Sequence, residues 1–145
     1  MEIKIIHPKT GEDSEFTNDK IVDFLFEHLD QYGDPKEQIM AAIKYIFNIT
    51  KGGFITLGIE NNKIIGAIII NETGMNGYIP ENILVYIAVD KTYRGKGIGK
   101  QLMVAAMENA KGNIALHVEP DNPALHLYKK LGFTNKYLEM RLIKK

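Results

Sequence analysis

Two periods of hydrophobicity alternate along the chain, and they divide it into helices and strands. The stretch "EIKII" (2–6) reads as a short strand. From 18 to 33, "NDKIVDFLFEHLDQYG" places Ile21, Leu25 and Leu29 on one helical face; Thr17 or Asn18 can cap its start and Gly33 can end it. "DPKEQIMAAIKYIFN" (34–48) predicts a second helix. Asp34 is its expected N-cap, Pro35 stands in the first turn, and Ile39, Ile43, Ile46 and Phe47 form its stripe. "FITLGIE" (54–60) and "KIIGAIIIN" (63–71) read as strands joined by a tight turn at Asn61-Asn62. A loop over 71–82 precedes the apolar strand "ILVYIAV" (83–89). A helix through about Ala110 comes next, with Ile98, Leu102, Ala105 and Asn109 in register. The remaining elements are a strand "NIALHV" (113–118), a helix "NPALHLYKKLG" (122–132) and a last strand "YLEMRLI" (137–143). Together they predict one α/β domain, residues 1–145. They surround one central sheet.

Between strand 83–89 and the helix after it lies "YRGKGIGKQLM" (93–103), with glycine at 95, 97 and 99. Free N–H groups at a helix N-terminus attract anions. Glycines let such groups form a concave nest that a ligand can touch. The segment therefore reads as a phosphate cradle. A nucleotide P-loop needs four residues between its first glycine and the Gly-Lys pair, whereas Gly95 and Gly99 enclose only Lys96, Gly97 and Ile98, and Gln101 follows Lys100. A dinucleotide fingerprint needs G-x-G-x-x-G, and the chain has G-x-G-x-G.

Composition narrows the class. The 145 residues are 45% hydrophobic, which suits one domain with a real core. There is no cysteine, so disulfides and thiolate metal sites are excluded. No cluster has metal-ligand spacing, and no Ser-His-Asp pattern is visible. "MEIKIIHPKT" carries charge inside its short apolar run and does not resemble a signal peptide. No run reaches the roughly 20 apolar residues of a membrane span. A cytoplasmic protein without a membrane or metal is the expectation. Net charge is +0, but residues 1–50 hold ten acidic and five basic side chains, and residues 91–145 hold four acidic and eleven basic ones. The basic half suggests a polyanion. The neutral total and the lack of aromatic residues interleaved with the basic ones argue against nucleic acid.

"IAVDKTYRGKGIGKQLM" resembles the acetyl-coenzyme A-binding motif of the GNAT superfamily of N-acetyltransferases. The family pattern Arg/Gln-x-x-Gly-x-Gly/Ala is matched by Arg94, Gly97 and Gly99. "LHVEPDNPALHLYKKLGF" is similar to the family's later motif at Asn122, Ala124, Tyr128, Gly132 and Phe133. The likeness covers residues 54–143; the first 50 match only in element pattern. It implies an α/β acetyltransferase whose twisted central sheet is mixed and mostly antiparallel, with about six or seven strands and about four flanking helices. Acceptor-side helices fall in 18–50, a pyrophosphate motif in 83–111 and a strand-helix unit in 113–133.

By that resemblance, the pyrophosphate sits on backbone N–H groups of Arg94, Gly95, Lys96, Gly97, Ile98, Gly99 and Lys100. The pantetheine arm pairs with the strand edge at Ile87, Ala88 and Val89, where a bulge would free an N–H for the acetyl carbonyl. Asn122 bonds the arm, and Tyr128 is the general acid at the coenzyme sulfur. A solvated strand position or the amine's base are both open for His117, whose imidazole is suited to proton transfer near neutral pH. Other members use a carboxylate on the strand before the glycines. Ile83 stands at that position here, and Glu81, two residues earlier, is the substitute. Deprotonation by solvent is the third option. His126 reads as exposed.

The resemblance implies an acceptor that is a small-molecule amine or a peptide N-terminus, held by residues 18–50 and 71–82. Glu27, His28, Asp30, Tyr32 and Asp34 there form either an acidic, aromatic wall for a cation or an ordinary solvated helix surface. A monomer or homodimer is expected. A coenzyme-sensing domain without turnover and a nucleic-acid-binding module are the alternatives from other classes.

Overall fold

The computed structural model describes residues 1–145. The elements run β1 (Glu2–Ile6), α1 (Asn18–His28), α2 (Lys36–Phe47), β2 (Gly53–Glu60), β3 (Lys63–Glu72), β4 (Asn82–Val89), α3 (Ile98–Asn109), β5 (Ile114–Leu116) and α4 (Ala124–Lys130). Short 3-10 turns occupy Pro8–Thr10, Asp30–Tyr32 and Lys91–Tyr93. One five-stranded sheet has the order β1-β2-β3-β4-β5. Its first three pairings are antiparallel, and β4 pairs with β5 in parallel.

The sheet is covered on both faces. Ile21, Leu25, Ile39, Ile43 and Ile46 bring α1 and α2 against Ile55, Leu57 and Ile69. On the other face, Ile98, Leu102, Met103, Ala106 and Tyr128 bring α3 and α4 against Phe54, Ile68, Ile70 and Leu84. Strands covered on both sides read as continuous apolar runs, which explains "KIIGAIIIN". Thr17 caps α1, its hydroxyl accepting from the Lys20 N–H at 3.3 Å. Asn61 and Asn62 both have positive φ, 51° and 61°, as a primed hairpin turn requires.

Several expectations are corrected. Residues 137–143 form no strand, so the sheet has five strands rather than about six or seven. Tyr137, Leu138, Met140, Leu142 and Ile143 are exposed. Alternation signals strand propensity, but a strand exists only against a partner edge, and β5 offers three residues of it. Asp34 does not cap α2; its carboxylate accepts from the Tyr86 hydroxyl at 2.6 Å instead. The inner face of α3 is Ile98, Leu102, Met103 and Ala106, not Ala105 and Asn109.

Two features of the sheet set the position of the glycine segment and of the strand before it. The first is a cross-strand glycine pair, Gly58 opposite Gly66. A Cβ at Gly66 would collide with the Leu102 Cδ1, and one at Gly58 would lie 3.2 Å from its Cδ2. Leu102 thus fills the hollow at Gly66 and shares that at Gly58 with the Met1 sulfur, which lies 2.8 Å from the Cβ position, and this seats α3 on the sheet. The second is a bulge in β4. Ile69 stands opposite Tyr86 and Ile70 opposite Leu84, leaving Val85 as the extra residue. In consequence Leu84 packs toward α3 and α4, while Val85 and Tyr86 both pack toward α1 and α2.

Leu102→Ala is expected to cost about 2–5 kcal/mol, and Gly66→Ala about 1–3 kcal/mol by forcing α3 outward. Denaturant unfolding of both variants checks this; a Gly66→Ala protein as stable as wild type would mean that Leu102 moves aside freely.

Candidate active site

Beyond Leu84 and Leu116 the parallel strands part. β4 pairs with β5 only over Asn82–Leu84, while the rest of β4 keeps its pairing to β3 through Val89. Ile87, Ala88 and Val89 therefore lie along an edge that β5 no longer covers. Ile87 and Val89 are half-buried beside Leu116, Val118 and Leu127, which makes an apolar cleft with open backbone on one side. An extended chain bearing amides can pair there as an added strand.

The glycine segment stands at the end of this cleft. Asp90 stops β4 and caps the turn after it: its Oδ1 accepts from the Thr92 N–H and hydroxyl, both at 2.8 Å. Gly95 and Gly97 then take positive φ, 80° and 79°, and a Cβ on either would meet open space. Gly97 is the N-cap of α3 and has no side-chain cap bond. The backbone N–H groups from Arg94 to Lys100 find no acceptor within the chain. At Gly99 φ is not positive and a Cβ would make only ordinary contacts, 3.5 Å to Leu127 and 3.8 Å to Val89, at the floor of the cleft. Lys96 sits over the Tyr93 ring at 5.1 Å, and Lys100 is exposed. These donors and charges can hold a diphosphate.

α4 flanks the cleft. Tyr128 is 5% exposed, packs near Phe133 at 5.9 Å between centroids, and its hydroxyl bonds no other group of the chain. Burial pushes the phenol up to about 12, so it holds its proton at neutral pH. Asn122 Oδ1 accepts from the Ala124 N–H at 2.9 Å, which caps α4 and leaves the amide NH₂ free to donate. Across the cleft, the Tyr32 hydroxyl donates to the Asp121 carbonyl at 3.2 Å, tying the α1–α2 connection to the loop before α4.

An acetyltransferase (GNAT) domain family model matches residues 51–135. The chain belongs to the GNAT acetyltransferase family. It is 32% identical over 85 residues to N-alpha-acetyltransferase 30 of Schizosaccharomyces pombe, covering 55% of this chain and 57% of that protein. It is 40% identical over 57 residues to N-alpha-acetyltransferase RimI of Mycobacterium tuberculosis, covering 38% and 36%. Under two thirds of either relative is therefore spanned. In fold it is similar to AAC(6')-Iy in complex with the bisubstrate analogue CoA-S-monomethyl-acetylneamine, with TM-score 0.69, 17% identity, and coverage of 100% of this chain and 99% of that one.

The structure gives three of the sequence-derived residues of this GNAT chain their surroundings. The Arg94 side chain does not point its charge into the cradle. Its Nε donates to the Val89 carbonyl at 3.1 Å, its Nη2 to the His28 carbonyl at 2.7 Å and its Nη1 to Asp30 at 3.2 Å. It braces the loop against the end of α1. Glu81 is a loop clamp, accepting from the Asn113 N–H at 2.6 Å and the Gly77 N–H at 2.9 Å. Those two bonds, Asn113 first, hold its carboxyl below the usual range, the wrong direction for a strong base. His117 lies just past the end of β5, with its side chain 66% exposed and Nδ1 4.0 Å from Glu139.

Other residues of the site make contacts that the sequence pattern did not signal. His28 is buried at the end of α1 against the cradle loop. The Asp34–Tyr86 pair joins the α1–α2 connection to β4 beside the bulge, and both burial and Asp34 push the Tyr86 phenol up. Asp30, with φ 55°, binds both Lys91 at 2.9 Å and Arg94. The positions of Asp34 before a proline and Asp30 after a helix signal only caps and turns.

The Glu81 clamp predicts an acid-stability window. Its folded pKa is depressed, so its contribution is present above the unfolded value of 4.5 and lost as pH falls through the folded one. Glu81→Gln should flatten that part of the stability–pH curve. Equal acid sensitivity in both proteins would show that the clamp adds nothing.

Proposed function

We propose that this protein transfers the acetyl group of acetyl-coenzyme A directly to a primary amine. The observation that carries the reading is the run of unpaired N–H groups from Arg94 to Lys100 at the open end of the β4 cleft, in a chain of GNAT sequence. The donor set fits the coenzyme: cradle N–H groups and Lys100 for the diphosphate, the β4 edge and the Asn122 amide for the pantetheine, and an apolar floor beneath. When bound, the coenzyme supplies a thioester open to attack by an amine. The Ile87 N–H, on the edge of β4 that β5 leaves uncovered, is the donor for the carbonyl oxygen. Tyr128 is the proton donor to the departing sulfur: its phenol holds a proton at neutral pH, and its hydroxyl faces no acceptor within the chain. His117 is the first choice for taking the amine proton, because its exposed ring is free of strong bonds; solvent is the second.

For the acceptor, the names of the two curated relatives support a peptide N-terminus as the first class to try. The aminoglycoside analogue bound to the structural neighbour supports a polyamine-like ligand as the second. A screen of short peptides, aminoglycosides and polyamines for thiol release tests the activity. Coenzyme binding without release by any amine would return the protein to a sensing role.

Gly99→Glu should weaken coenzyme A binding by about 100-fold or more, because the added side chain enters the cleft floor and sets a carboxylate beside the phosphates. Unchanged calorimetric affinity in a folded variant would remove the cradle assignment. Tyr128→Phe should lower kcat by roughly 10- to 10⁴-fold with coenzyme affinity retained. A normal rate with chemistry limiting would make Tyr128 a packing residue alone. In a rate–pH series, His117→Gln should lower activity near neutrality and recover it in alkali, where the acceptor is already neutral. A superimposable profile assigns the proton to solvent and leaves catalysis to orientation.

A further inference from the structure

His28 is a buried histidine that the transfer chemistry does not use. It is 8% exposed, at the last turn of α1, with its ring 4.7 Å from that of Phe24. Both its ring and its backbone hold the cradle loop. Nδ1 accepts from the Lys91 N–H at 3.2 Å, and the carbonyl accepts from Arg94 Nη2 at 2.7 Å. Asp30, two residues on, takes Lys91 Nζ and Arg94 Nη1. The end of α1 is thus a clamp on the segment that leads directly into Gly95.

We propose that His28 is a positioning residue for the coenzyme cradle, and that proton uptake at Nδ1 opens the clamp and weakens coenzyme binding, an inference that rests on the acetyltransferase reading of the cradle. An Nδ1 that accepts a hydrogen bond carries no proton, so the ring is neutral with its proton on Nε2. Nε2 faces two carboxylates, Glu27 on α1 and Asp90 after β4, each at 3.7 Å. The cations nearby, Lys91 and Arg94, direct their charges to Asp30. Adding a proton to Nδ1 sets two N–H donors against each other, and the charged ring is drawn to Asp90 and Glu27. The bond to the Lys91 N–H is then lost, and with it the constraint on the turn that presents Arg94 to Lys100. Because α1 also leads into the acceptor-side connection, the same contact couples the two halves of the cleft.

Calorimetry of coenzyme A binding at about pH 8 and about pH 5.5 tests this with wild type, His28→Asn and His28→Leu. Asparagine places an oxygen acceptor near the Nδ1 position and does not titrate. Wild type should lose about tenfold in affinity on acidification beyond the loss shown by His28→Asn, which should bind like wild type at the higher pH. His28→Leu should bind weakly at both pH values. Titration of the ligand's own phosphates is common to all three proteins and cancels. Parallel pH dependence in wild type and His28→Asn overturns the proposal, as does weak binding by His28→Asn at high pH in a folded protein. If His28→Leu does not fold, the wild-type and asparagine pair still decides. ¹⁵N shifts of the imidazole that report a proton on Nδ1 at high pH also overturn it. A wild-type protein that binds no coenzyme at either pH overturns the cradle reading itself, a result distinct from the others.

Discussion

The parting of β4 from β5 after three paired residues is the constraint on which the site depends. A parallel pair carried to the end of both strands would leave no cleft, no open strand edge and no path to the glycine cradle. The bulge at Val85 begins where the pairing to β5 ends, and a bulge bends and twists the strand that carries it. It also moves the later residues of the strand to the opposite face. Leu84 serves the α3–α4 core and Tyr86 the α1–α2 core, although they are two positions apart on one strand.

The cradle is held from both faces of the sheet. From one side, Leu102 fits over Gly58 and Gly66 and seats α3, so the N-terminal N–H groups of that helix face the cleft. From the other, the end of α1 grips the loop through Arg94, Asp30 and His28. The backbone anion site we propose there needs this double anchoring, because its donors are main-chain groups whose direction depends on the whole loop. No single side chain can aim them.

Charge is used more locally than the lopsided sequence distribution suggested. The acidic first third does not simply form a wall: Asp30 and Asp34 each bond a residue at or beyond β4. The basic half likewise spends Arg94 on structure and leaves Lys96 and Lys100 near the cradle. Glu81 and His117 show the same division. Both were singled out as bases by position along a strand, but neighbouring N–H groups occupy Glu81, whereas His117 lies open to solvent.

By itself the sequence determined the elements up to the last helix, their order and the two motifs. Period, caps and glycine spacing are local quantities, and the glycines at 95 and 97 exist for a local need, positive φ at a helix entry. The places of Tyr128 and Asn122 in the second motif are local in the same way, each lying within one short strand-helix unit. Tertiary structure alone decided where β4 leaves β5, which face Tyr86 serves and what Asp34 bonds. It also decided that the Arg94 side chain braces the loop, and that 137–143 finds no edge to join. Each of these depends on contacts between residues far apart in the chain. A bulge or an open strand edge has no signature in hydrophobic period, because the period records only which positions are apolar and not what they face.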